Sequence, residues 1–228
     1  GKVDPISDVK IIQTELILAD LEKIERKIDR LSSLIKADRN LGEELDFFQK
    51  LRDFLSDGNL ACKIKFSEDE GAFLRSLNLL TMKPYLYIAN VSEDEIEISG
   101  NLLSELEILA KEENIEVIPI CAKVESELTE MNDEDSKLFM KELGIKTSGL
   151  DRFINSGYKL LEQITFFTAG KKEVKAWEIR NGSTAPEAAG KIHSDFEKGF
   201  IRAEVFNFED IDKLGSELSV KEAGRWRL

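Results

Sequence analysis

Apolar residues at Leu21, Ile24, Ile28, Leu31 and Ile35 recur in steps of three and four, with Glu22, Lys23, Glu25, Arg26, Lys27, Asp29 and Arg30 between them. That spacing lays one apolar stripe along a helix whose other faces are solvated. Asp8 is the expected N-cap, because a short side-chain oxygen can accept from first-turn amides. The pattern breaks at Ala37-Asp38-Arg39-Asn40 and resumes with Leu41, Leu45, Phe48, Leu51 and Leu55. It ends at Asp57-Gly58-Asn59, where glycine suits the left-handed end of a helix. The two runs predict an antiparallel helical hairpin. Its seam is short, so an arm packed on the body of a monomer is preferred to a free-standing dimeric coiled coil.

Beyond the hairpin the period changes. Ser67-Glu68-Asp69-Glu70 has the spacing of a capping box at the start of another helix. Lys83-Pro84 then leads into Tyr85-Leu86-Tyr87-Ile88-Ala89, an unbroken apolar run of strand length. Such a run suits a strand of a parallel sheet, buried on both faces. A helix over about Leu102–Glu112 and a second strand, Glu116–Ile120, complete a strand–helix–strand unit, the mark of an α/β fold. Helices are predicted at about 133–142 and 148–162. After Gly157 the pattern becomes that of a small α+β module, with strands Ile164–Thr168, Val174–Ile179 and Phe200–Phe206. A helix Ala185–Phe196 carries Pro186 in its first turn. Trp177 and Phe200 alternate with polar neighbours and read as core.

Composition narrows the class. With 42% hydrophobic and 34% charged residues among 228, the chain is of globular type. No apolar run approaches the roughly 20 residues that span a bilayer, and Gly1-Lys2-Val3-Asp4-Pro5 does not resemble a signal peptide. Cys62 and Cys121 form no CxxC pair, which points to reduced thiols in a cytoplasmic protein. The net charge is −13. Residues 151–228 hold 13 basic and 13 acidic side chains, whereas residues 1–150 hold 19 and 32. An acidic chain is a poor generic nucleic-acid binder, which argues against DNA. RNA contact is expected only from the balanced C-terminal part, with Lys171, Lys172, Lys175 and Arg202 as candidates.

Two tetrapeptide-scale motifs end the two predicted α/β strands. Asn90-Val91-Ser92-Glu93 follows the first, and Pro119-Ile120-Cys121-Ala122-Lys123 closes the second. Ligands of open α/β sheets bind beyond the carboxyl ends of strands. Cys121 also reads as a small buried hydrophobe. The chain's single histidine, His193, reads as structural. No G-x-x-x-x-G-K-[ST] occurs in these residues, so neither a phosphate cradle nor its Mg²⁺-binding hydroxyl is encoded in them.

Several stretches resemble the YchF (Obg-like ATPase) family of the P-loop GTPase superfamily. They are Gly1–Pro5, Thr14–Leu21, Asn90–Glu93, Pro119–Glu127 and, most specifically, the region from Gly157 with its Gly170–Pro186 and Ala188–Val205 runs. The resemblance implies an α/β fold: part of a P-loop GTPase-type parallel sheet (1–20 and 78–145), an inserted helical-hairpin arm (21–77), and a linker helix with a TGS domain of β-grasp type (146–228). It implies binding and hydrolysis of ATP, and often GTP, with Mg²⁺, by a cytoplasmic, ribosome-associated protein. Asn90, Val91 and Glu93 would stand where GTPases carry Asn-Lys-x-Asp, and Cys121, Ala122 and Lys123 where they carry Ser-Ala-Lys. Together these six would form the purine pocket. No catalytic residue and no metal ligand is expected in this chain. The phosphate-holding part and the last β-grasp strands, expected beyond Lys221–Leu228, would be missing, so the 228 residues alone are expected to be inactive. The alternative is a non-enzymatic adaptor that binds RNA or protein through the arm and the C-terminal module.

Overall fold

The computed structural model describes residues 3–35, 41–75, 77–95, 101–170 and 172–228. The fold is mixed α/β and divides into two compact units, Gly1–Ser156 and Gly157–Leu228. The expected helix break at Ala37–Asn40 and the candidate Lys171 lie outside the described residues.

The first unit opens with α1, Pro5–Leu34. Asp4, not Asp8, is the N-cap, and its carboxylate accepts from the Ser7 amide at 3.0 Å. Pro5 at the first helical position decides this start one turn earlier, since its fixed φ suits a helix and its missing N–H leaves no orphan donor. Helix α2, Gly42–Ser56, packs back on α1. Ile17, Ile24, Ile28 and Leu31 from α1 meet Phe47, Phe48, Leu51 and Leu55 from α2 in a continuous core. Phe47 was not among the expected seam positions. Its ring lies 5.4 Å from that of Phe48 and 6.0 Å from that of Phe73 on α3, Glu68–Arg75. A Lys27–Glu44 ion pair of 2.7 Å closes the side of the hairpin. The capping box forms as expected, with the Ser67 amide donating to Glu70 at 2.7 Å and the Glu70 amide to Ser67 Oγ at 3.3 Å.

The sheet of this unit contains β1, Tyr87–Asn90, and β2, Val117–Ile120, paired in parallel with Asn90 opposite Ile120. Helix α4, Asn101–Glu113, makes the crossover between them. β1 is shorter than the expected Tyr85–Ala89 and is not buried on both faces: Ile88 is 51% exposed. Only β2 flanks it among the described residues, so one edge and part of one face lack cover. Helix α5, Ala122–Glu130, has no counterpart among the expected elements, while α6, Asp133–Glu142, and α7, Gly149–Leu160, fall where helices were predicted.

In the second unit β3, Gln163–Ala169, and β4, Val174–Arg180, form an antiparallel hairpin. The predicted helix over Ala185–Phe196 is broken into α8, Ala185–Ile192, and α9, Ser194–Lys198. His193 makes the break: its backbone is extended, and its Nδ1 accepts from the Asp195 amide at 3.1 Å to cap α9. Phe200–Phe206 is not a strand. Its alternation is strand-like, but it meets another segment only at a single bridge, Val205 to Arg227. Two short helices follow that the pattern did not show, α10, Phe208–Leu214, and α11, Glu217–Glu222. Ile179 and Val220 are buried, whereas Trp177 and Phe200 are half-buried. Trp177 therefore keeps a polar partner, Nε1 donating to Thr168 Oγ1 at 2.9 Å.

Candidate functional site

Both motif loops lie side by side at the carboxyl ends of β1 and β2, because the strands are parallel and in register. The ladder runs one residue past β1, where the Val91 amide donates to the Ile120 carbonyl at 2.9 Å. The Asn90 carboxamide then crosses to the second loop. Its Oδ1 accepts from the Ala122 amide at 3.2 Å. Ala122 is the first residue of α5, so this bond takes up one of the amides that a helix start leaves without an internal partner. Cys121, directly before it, is buried at 5% exposure, while Ala122, Lys123 and Asn90 face solvent.

Glu93 opens a single 3-10 turn, Glu93–Glu95. The turn is tied back by Ser92, whose amide and hydroxyl donate to Glu95 Oε2 at 3.1 and 2.8 Å. The Ser92 hydroxyl and then its amide hold the Glu95 carboxyl below the usual carboxylate range. Across the gap Lys123 Nζ stands 3.5 Å from Glu93 Oε2 and 3.8 Å from Glu127 Oε1. The structure thus brings together Asn90 with Ala122 and Glu93 with Lys123. The two loops present a carboxamide, a carboxylate and an ammonium to solvent.

Glu125, one turn along α5, is a residue that local pattern did not reveal. Its Oε1 accepts from the Gly149 amide at 2.6 Å and its Oε2 from the Leu150 amide at 3.1 Å, so it caps α7 from 24 residues away. Arg152 of α7 donates from Nη2 to the Pro119 carbonyl at 2.7 Å, and Ser156 donates to Glu116 Oε1 at 2.8 Å. Helix α7 is therefore bonded both to β2 and to the helix that the second loop opens. Only the Ser92-x-x-Glu95 spacing had a local signal, that of a capping box.

In the second unit Lys172 and Lys175 stand on the β3–β4 hairpin and Arg202 on the extended segment after α9; all three are exposed. Lys175 Nζ sits 4.1 Å over the Trp177 ring, a cation–π contact that holds it along β4. Among the described residues no group of three or more His, Cys, Asp or Glu is placed to hold a metal ion. No described helix is long and apolar enough to cross a membrane.

Residues 163–228 match the family YchF-GTPase_C, described as a protein of unknown function (DUF933). The whole chain is 47% identical over 231 residues to the ribosome-binding ATPase YchF of Bacillus subtilis (strain 168). It is also 47% identical over 228 residues to the protein of that name from Escherichia coli O157:H7. Over its whole length the chain is similar to proteins of the YchF family. The structure of the Schizosaccharomyces pombe YchF GTPase superposes with a TM-score of 0.85 at 32% identity, over all of this chain and 62% of that one. The chain spans 63% of the length of the Bacillus relative and 62% of the Escherichia one.

Proposed function

We propose that the chain supplies the purine-base pocket, the helical arm and the C-terminal module of a cytoplasmic, monomeric, ribosome-associated ATPase that also accepts GTP. The Asn90–Ala122 bond carries this reading. It fixes two loops at the carboxyl ends of adjacent parallel strands, the place where α/β sheets take ligands. The Glu93 carboxylate and the Lys123 ammonium meet across the same two loops, and Val91 and the buried Cys121 would complete the pocket. The uncovered edge of β1 fits a larger parallel sheet of P-loop GTPase type. The hairpin β3–β4 with α8 packed on it fits a TGS module of β-grasp type. The division proposed is 1–20 and 78–145 for the nucleotide-binding part, 21–77 for the arm and 146–228 for the linker helix and TGS module.

The chemistry of hydrolysis would rest on a phosphate loop and Mg²⁺, which stabilise the charge on the transferring phosphoryl group. Residues 1–228 lack the loop sequence, and the described residues hold no cluster of three or more metal-ligating side chains, so these 228 residues alone would bind a base and not hydrolyse a nucleotide. Lys172, Lys175 and Arg202, with Lys171, are the proposed RNA contacts, within the part of the chain that carries no net charge. The adaptor reading, in which arm and module bind RNA or protein without nucleotide control, draws on the same lack of a phosphate loop. Asn90→Ala in the full-length protein separates the two. On the enzyme reading, cosedimentation with ribosomes loses its response to ATP. An unchanged response sinks it and leaves the adaptor.

A further inference from the structure

A side-chain ion pair joins the two loops besides the Asn90–Ala122 bond and the Val91–Ile120 ladder bond. Lys123 Nζ lies 3.5 Å from Glu93 Oε2, with the two side chains 71% and 39% exposed. Glu127, one turn further along α5, lies 3.8 Å from the same ammonium. Lys123 thus stands between two carboxylates beside the two loops. We propose that Lys123 sets the purine tolerance of this site by pairing with Glu93, an inference that rests on the base-pocket reading above.

Hydrogen-bond complementarity distinguishes the two purines. A lone carboxylate offers only acceptors. Guanine answers with two adjacent donors, N1–H and the N2 amino group. Adenine offers a donor, its N6 amino group, next to an acceptor, N1. A lone carboxylate therefore accepts one bond from adenine and sets its second oxygen against a ring lone pair. An ammonium beside the carboxylate changes the match, because it brings donors and no acceptor. Adenine can then give its N6 proton to Glu93 and take a proton from Lys123 at N1. Guanine can give N1–H to Glu93 and accept from Lys123 at O6. The pair admits both bases, where the carboxylate alone would select guanine.

Exposure limits the size of the effect. Solvent-exposed pairs contribute about 0.2–1 kcal/mol, which corresponds to roughly a 1.4-fold to fivefold change in relative affinity. The effect must also fade with salt, since screening at about 1 M acts over roughly 3 Å.

The test is an NMR titration of the 228-residue chain with AMP and with GMP, read at the Val91 and Ala122 amides. Lys123→Ala raises the GMP-to-AMP affinity ratio about 1.4-fold to fivefold, and Lys123→Arg keeps the ratio of the unaltered chain. Raising the salt to about 1 M moves the unaltered chain toward the Lys123→Ala ratio and leaves that variant's ratio in place. A purely structural role for Lys123 would weaken both nucleotides together and leave the ratio constant, which overturns the inference while the base pocket stands. If neither nucleotide moves these two amides, the base-pocket reading itself fails and takes the inference with it.

Discussion

The carboxylate of Asp20, fully buried, accepts both the amide of Thr81, at 2.7 Å, and its hydroxyl, at 2.8 Å. The other carboxylate oxygen takes the Leu80 amide at 2.9 Å and Lys23 Nζ at 3.3 Å. A charge inside an apolar hairpin is costly unless it is fully bonded, and here four donors converge on it. Asp20 thereby ties the start of the arm to the segment that leads back toward β1.

Asp20→Ala leaves two backbone amides and a hydroxyl without their acceptor, so it should destabilise the first unit by about 3–5 kcal/mol. Thr81→Val removes one donor and keeps three, for a loss of about 2 kcal/mol. Urea unfolding of the two variants and of the double variant checks this. Equal effects of the two single substitutions would show that the network does not converge on Asp20.

Gly149 has no room for a side chain. A Cβ there would lie 2.8 Å from Glu125 Oε1 and 3.0 Å from Ile120 Cγ1. Gly149→Ala should therefore displace the cap of α7 and destabilise by about 1–3 kcal/mol. Glu125→Ala, which removes the cap without adding bulk, should cost about 1 kcal/mol. Faster hydrogen exchange at the Gly149 and Leu150 amides in Glu125→Ala is the specific sign. Unchanged exchange there would contradict the cap.

The Thr184 amide and hydroxyl donate to Glu187 Oε2 at 2.6 and 2.9 Å and start α8. These bonds, the amide's first, lower the Glu187 pKa from its ordinary 4.5. A lowered pKa means stability that is present above 4.5 and lost as the pH falls through the lowered value. Protection of the Thr184 amide, taken relative to its intrinsic exchange rate at each pH, should fall over that acid range. Glu187→Gln should remove the pH dependence, and a persisting one would assign it to another group.

The two edges of the β1–β2 pair are unequal. Glu116 and Ile120 turn their carbonyls to β1, so Pro119 faces the far edge, where it has no N–H to offer and its carbonyl is taken by Arg152. Tyr87 and Val91 turn to β2, so Ile88 turns its backbone to the other edge, with no charge or proline in β1 to guard it. The isolated chain should self-associate through that edge. Ile88→Lys should lower its light scattering at a given concentration, and an unchanged value would place the association elsewhere.

Which parts of this were legible along the chain follows from the range of the forces involved. The hairpin α1–α2, the Ser67–Glu70 box and the β3–β4 pair depend on neighbours within a few turns or on strict alternation, so periodicity revealed them. The start of α1 was placed a turn late because a second cap residue, Asp4, lies just ahead of Pro5. Phe200–Phe206 has the alternation of a strand, yet a strand exists only when another pairs with it, and here a single bridge forms. At the candidate site, the residue types of Asn90, Glu93, Ala122 and Lys123 could be picked out. Their pairing, 32 residues apart for Asn90 with Ala122, could not.

Residue order alone was sufficient for the α/β character, the amphipathic arm, the charge imbalance between the two parts and the positions of both loops, since each rests on local spacing or on a count. Tertiary structure decided the parallel register that sets Asn90 beside Ala122, the burial of Asp20 among Thr81 and Leu80, the capping of α7 by Glu125, and the Glu93–Lys123 pair. Each of these joins groups distant along the chain, whose meeting depends on how whole elements pack. The physical reason is that hydrophobic periodicity specifies which face of an element is buried, and carries no information about which buried face it will meet.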